Sequence, residues 1–201
     1  RGRNNMYLQF TCGKHTVEGK LYNNMMSRVR LGNSSDYYKN YMGVSVSENF
    51  KDFQFFADWC NKQIGFNTKD ENGRNFNLDK DILKIGNKEY NEDVYVFVPS
   101  EINTFLLKGG NHNKDNGLPI GVTYREDRGY TTYVSIPWRK KQKRHGQYKT
   151  LEKAMAKYEQ TKLEVALYLA EKYKDQIDIR VYEAILNFNV KERGYNLGIT
   201  C

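Results

Sequence analysis

Cysteine, histidine, proline and long apolar runs are all scarce in this chain, and each scarcity removes a class of protein. Cysteine occurs 3 times in 201 residues, at Cys12, Cys60 and Cys201. So few cysteines, odd in number, do not make a disulfide framework and suit a reducing compartment. Cys12 and His15 have no second Cys/His pair at ligand spacing nearby, which argues against a zinc site there. With 3 prolines and a mean hydropathy of −0.82, no apolar run approaches the roughly 20 residues that a membrane-spanning helix needs. The stretch Arg1-Gly2-Arg3-Asn4-Asn5 lacks the apolar core of a secretory signal. The expected location is the cytoplasm.

Aromatic residues are abundant instead: 14% of the chain, with 16 Tyr and 10 Phe. Each ring buries a large area, so the chain can build more than one small core. Net charge is +8 and the pI is near 9.2. A basic surplus favours a polyanionic partner, most often nucleic acid; composition alone fits a solvated basic face equally well.

Hydrophobic spacing gives an α+β chain. Tyr22, Met25, Met26 and Val29 repeat at helical intervals, predicting a helix over 20–30. Val44 and Val46 suggest a short strand. A helix with Phe53, Phe56, Ala57, Cys60 and Ile64 on one stripe follows, capped by Ser47 or Asn49. Its aromatic stripe reads as core, and Cys60 as a buried small hydrophobe rather than a nucleophile. Val94–Val98 reads as a strand ended by Pro99, and Ser100 as the cap of a short helix over 101–107. Residues 108–117 hold no large apolar side chain and are rich in Gly and Asn, so they read as a linker. The expected division is therefore 1–107, a linker at 108–117, and 118–201.

After the linker, Ile120, Val122 and Tyr124 alternate, then Tyr130–Ile136, with a third short strand at His145–Tyr148. Thr150 caps a long helix carrying Leu151, Ala154, Met155, Tyr158, Val165 and Leu169 on one stripe. A last helix holds Ile177, Val181, Ala184, Ile185 and Phe188. The expectation is a three-stranded antiparallel sheet packed on a long helix.

Two stretches carry chemistry. The first, Asn77–Pro99, holds Asp79 and Asp81 around Lys80, a turn at Gly86-Asn87, and Glu92-Asp93 before the apolar run. By themselves these acids read as solvated turn residues, and Asn87 as a turn former. The second is Trp138-Arg-Lys-Lys-Gln-Lys-Arg-His145, a dense positive turn. A twisted sheet of this width fits the major groove of DNA. Arg125, Arg128, Arg139 and Arg144 then suit guanine edges or phosphates, Lys140, Lys141 and Lys143 suit backbone phosphates, and Trp138 stands among them.

Both stretches resemble known families. Gly121-Val-Thr-Tyr, the basic hairpin, His145-Gly-Gln-Tyr-Lys-Thr-Leu-Glu-Lys-Ala154 and the helix after it are similar to an Apetala/ethylene-response-factor type DNA-binding domain over about residues 118–170. Gln147-Tyr148 and Pro137-Trp138 depart from its usual pattern. The resemblance implies that the sheet reads double-stranded DNA.

Leu78-Asp-Lys-Asp-Ile-Leu, Gly86-Asn-Lys-Glu-Tyr-Asn-Glu-Asp-Val-Tyr-Val-Phe-Val-Pro99 and the helices before them resemble the HNH finger of small bacteriophage endonucleases, many of the homing type. That likeness implies a ββ-metal-type finger in which Asp79 holds Mg²⁺ or another divalent cation, Asn87 braces the loop and Asp93 falls near the last ligand. Lys80 stands where the family has its general-base His. Phosphodiester cleavage needs an activated water and a cation on the leaving oxygen, and an ammonium is a poor base unless strongly desolvated. Asp79, Lys80 and Asn87 are thus the candidate catalytic set, and Asp79 with Asp93 the candidate metal pair.

Three functions follow: a phage-type HNH-like endonuclease, in the host cytoplasm if phage-encoded; a non-cutting DNA-binding regulator or host-takeover factor that keeps the finger as scaffold; and a binder of RNA or an acidic protein. Loss of the His favours the second, and the retained carboxylates favour the first.

Overall fold

The computed structural model describes residues 15–31, 41–106, 117–139 and 144–190. The fold is mixed α+β. The described residues form helices α1 (Val17–Leu31), α2 (Phe53–Lys62), α3 (Ser100–Leu106), α4 (Leu151–Tyr173) and α5 (Ile179–Leu186). Their strands are β1 (Ser45–Val46), β2 (Asn77–Asp79), β3 (Glu89–Tyr90), β4 (Val96–Val98), β5 (Val122–Arg125), β6 (Gly129–Tyr133) and β7 (Arg144–Tyr148). The chain divides into two compact units, one of residues 1–100 with 176–181, the other of 101–175 with 182–201. The division falls at Ser100/Glu101, ahead of the expected boundary after residue 107, so nearly all of α3 belongs to the second unit. The expected linker lies almost wholly outside the described residues.

The first unit is built on aromatic rings. Phe50 packs edge-on to Trp59 at 4.9 Å and to Phe56 at 5.1 Å, and Tyr90 meets Tyr95 at 5.0 Å. Edge-to-face pairs of this kind add about 0.5–1.5 kcal/mol each beyond simple burial. Cys60 is buried among them, which pushes its thiol pKa up to about 12 and leaves it inert. The expected helix caps are corrected here. Asp52 caps α2, its carboxylate accepting from the Gln54 and Phe55 backbone N–H groups at 2.7 and 3.1 Å. Ser47 instead accepts from the Phe50 N–H of the 3₁₀ turn Asn49–Lys51. Ile64 lies past the end of α2 and is exposed, while Trp59, absent from the predicted stripe, is in the core.

Val94–Val98 is shorter as a strand than expected. Only Val96–Val98 pairs, antiparallel to β2, with Asp79 opposite Val96. β1 and β3 form a separate two-residue parallel pair.

In the second unit the order is β5-β6-β7, antiparallel throughout, with α4 packed on the sheet. Thr150 caps α4 as expected, accepting from the Lys153 N–H. Gly121 has φ +79, and a Cβ there would stand 2.1 Å from the Tyr158 ring, so the glycine lets β5 and α4 close up. Val122, Ala154, Val165, Leu169 and Ala170 fill the core. α3 is fastened along α4 at two points. Glu101 accepts from Lys172 Nζ and the Tyr173 hydroxyl, both at 2.8 Å, and the Phe105 carbonyl accepts from Lys162 Nζ at 2.8 Å.

Candidate nucleic-acid interface and finger

Asp79 closes β2 and turns the chain. Its Oδ1 accepts from the backbone N–H groups of Asp81 and Ile82, both at 2.8 Å. Burial raises its carboxyl pKa, only partly offset by those two bonds. Lys80, half-buried, donates both to the Asp81 carboxylate, at 2.8 Å to each oxygen, and to the Asn87 carbonyl at 2.7 Å. Asn87 is buried; its amide donates to the Lys80 and Glu89 carbonyls, and its Oδ1 accepts from the Glu89 N–H. Asn87 therefore ties residues 80 and 89 together across the loop.

Lys80 is committed elsewhere. Its ammonium lies between the Asp81 carboxylate and the Asn87 carbonyl, so a base at this position would first have to break an ion pair. Asp93 stands exposed in the turn before β4, its N–H bound to Asn91 Oδ1 and its carbonyl accepting from Arg180 at 2.6 Å. Glu92 is drawn the other way, onto Ser47 and Asn49. Among the described residues no group of three or more His, Cys, Asp or Glu side chains is placed to hold a metal ion. A hard cation needs several converging oxygens; here one Asp79 oxygen accepts from two backbone N–H groups and the neighbouring Asp81 carboxylate is paired with Lys80.

In the sheet, alternation sorts the side chains into two faces. Val122 pairs with Thr132, and both are buried. Two residues along, Tyr124 pairs with Tyr130 and Tyr130 with Tyr148. This row of three tyrosines shares the buried pair's face, on which α4 packs. The alternate row, Thr123–Thr131–Gln147, lies on the opposite face by this alternation, with Arg125 and Tyr133; Thr131 within it is buried. Arg125, Tyr133 and Gln147 are exposed.

The predicted basic patch is divided by this geometry. Arg125 and Arg128 sit at the β5–β6 turn and both grip Asp127, at 3.1 and 2.9 Å. Desolvation raises the Asp127 carboxyl pKa, but the bonds and charges of Arg128 and Arg125 together bring it below its usual range. Trp138 and Arg139 belong to the β6–β7 connection at the opposite end, beyond β6, whose length is about 13 Å. Trp138 is held at 4.6 Å from the Tyr168 ring, on the side of α4 rather than on the open face. Lys140, Lys141 and Lys143 lie outside the described residues. Arg144 is placed by its backbone pairing with Tyr133. Sequence reasoning overlooked Asp127 as a competitor for the two arginines and Gln147 as an outward residue. The second follows from strand register, which the spacing of residues did not supply.

The architecture is that of a small α+β protein with a helix-backed three-stranded sheet. Comparison with family models, with curated proteins and with solved structures finds no match. Among the described residues no helix is long and apolar enough to cross a membrane.

Proposed function

We propose that this protein binds double-stranded DNA through the open face of its three-stranded sheet, and that its first unit serves as a scaffold that does not cut. The observation that carries the DNA reading is the placement of exposed Arg125 and Arg128 at one end of the sheet and of exposed Arg139 in the connection at the other end. Phosphate contacts at the ends of a recognition element fix its register, and the side chains between them meet base edges. The scaffold reading is supported by Lys80, which the finger loop uses as an internal tie.

A second reading, metal-dependent nicking of duplex DNA, is favoured by Asp79 at the end of β2 and by Asn87 bracing the loop after it. The test is incubation of the full chain with supercoiled plasmid and Mg²⁺ or Mn²⁺, beside an Asp79→Ala variant, with a gel-shift assay on the same plasmid. Retarded but intact plasmid is the expected result. Nicking by the parent protein that Asp79→Ala lacks would replace the scaffold reading with the enzyme, and absence of any retardation would remove the DNA reading.

A further inference from the structure

The central cross-strand row of the open face is Thr123–Thr131–Gln147, and none of the three is charged. Thr131 is buried, whereas Gln147 on the edge strand β7 is exposed. The chain has a device at this point. Thr131 pairs with Gln147 and Thr132 with His145, so Gly146 is an extra, unpaired residue, a β-bulge with φ +71. Bulges twist a strand locally and re-aim the side chain beside them. Gln147 is the side chain immediately after this one.

From this arrangement we infer that Gln147 is a specificity-determining residue that reads an adenine edge in the major groove. The inference rests on the DNA-binding reading above and adds to it which base is chosen and by which group. A glutamine amide offers one donor and one acceptor, which match adenine N7 and N6–H₂ in a bidentate pair. Guanine presents two acceptors there and would leave the glutamine oxygen facing an acceptor. Thr131 of the same row is buried, and Thr123 has a single rotatable hydroxyl that accepts either role, so neither discriminates much. The arginines at the ends carry the salt-dependent part of the affinity.

The test uses the full chain and a pool of duplexes with a randomised core, sequenced after binding, for the parent protein, Gln147→Arg and Gln147→Glu. The parent should enrich adenine at one position by roughly tenfold, the discrimination that one bidentate pair supplies. Gln147→Arg should move that position to guanine and Gln147→Glu to cytosine, following the donor and acceptor pattern of each base, with the other positions unchanged. Thermal melts matching the parent show that the variants are folded. Gln147→Ala should lose the preference while keeping the parent's slope of log affinity against log salt, since no charge is removed. If all of these proteins select the same bases, the role of Gln147 is overturned and the DNA reading stands. If the parent retains no duplex, the DNA reading itself fails and this inference with it.

Discussion

Lys80 and Asn87 hold one another across the loop that follows β2: the Lys80 ammonium donates to the Asn87 carbonyl at 2.7 Å, and the Asn87 amide donates to the Lys80 carbonyl at 3.2 Å. Seven residues apart in sequence, they close the loop from both sides. The position that a nuclease finger would give to a base is here part of the loop's own framework. Lys80→Met should therefore act on stability. It removes two charge-assisted contacts and leaves Asp81 and the Asn87 carbonyl without their cation, a loss of about 1–3 kcal/mol. A denaturant titration followed by aromatic fluorescence of the first unit measures it; an unchanged midpoint would show that the tie is dispensable.

The close approach of β5 to α4 makes a second prediction. Gly121→Ala places a methyl group 2.1 Å from the Tyr158 ring at a backbone φ of +79. Tyr158 is buried and cannot swing aside. The combined overpacking and backbone strain should cost about 2–4 kcal/mol, visible as a lowered melting temperature. Gly73→Ala, at a similar φ but with nothing within 4 Å, should show the strain alone and cost less.

Lys162 predicts a pH dependence. It is buried against the Phe105 carbonyl and ring, and burial brings its pKa down to about 7 from 10.5. Between these values the unfolded chain holds the proton and the folded one does not. Unfolding thus takes up a proton, and stability from this group rises with pH across that window, by at most about 1.4 kcal/mol per pH unit. Below pH 7 both states are charged and the full penalty of burial applies. Subtracting the stability-against-pH curve of Lys162→Met from that of the parent should give a rising line from pH 7 to about 10; a flat difference would contradict the shift.

On the proposed DNA-binding reading, Asp127, paired with Arg125 and Arg128, competes with phosphate for both. Both ion pairs are exposed, worth at most about 1 kcal/mol each. Asp127→Ala should release the two guanidinium groups and tighten duplex binding several-fold at low salt. Weaker binding would mean that Asp127 is needed to position the arginines.

Much of the second unit could be read from local chemistry. Gly121-Val122, Thr150 and Ala154 appear as residue types whose physical roles are strict: a glycine at a close approach, a core aliphatic, a helix cap and a small residue in the packing surface. Long-range facts were not legible. Asp52 rather than Asn49 or Ser47 caps α2 because the 3₁₀ turn Asn49–Lys51 delays the helix to Phe53, while Asn49 and Ser47 bond Glu92, more than 40 residues away. Lys162 was invisible as a core residue because lysine is rarely buried, and its partner carbonyl lies 57 residues earlier. In residues 77–99, Asp79 and Asn87 stand out by residue type alone. The commitment of Lys80 to Asp81 and Asn87 depends on how the loop closes, which no spacing rule supplies.

The central claim is that the sheet of the second unit binds duplex DNA, with arginines near its two ends on the phosphates. The most direct measurement is duplex affinity of the full chain from 50 to 300 mM salt, for the parent and for Arg125→Ala, Arg128→Ala and Arg139→Ala. The account predicts a steep linear fall of log affinity with log salt, and a slope reduced by about 0.9 for each arginine removed. A slope near zero, or one that all three substitutions leave untouched, would contradict it.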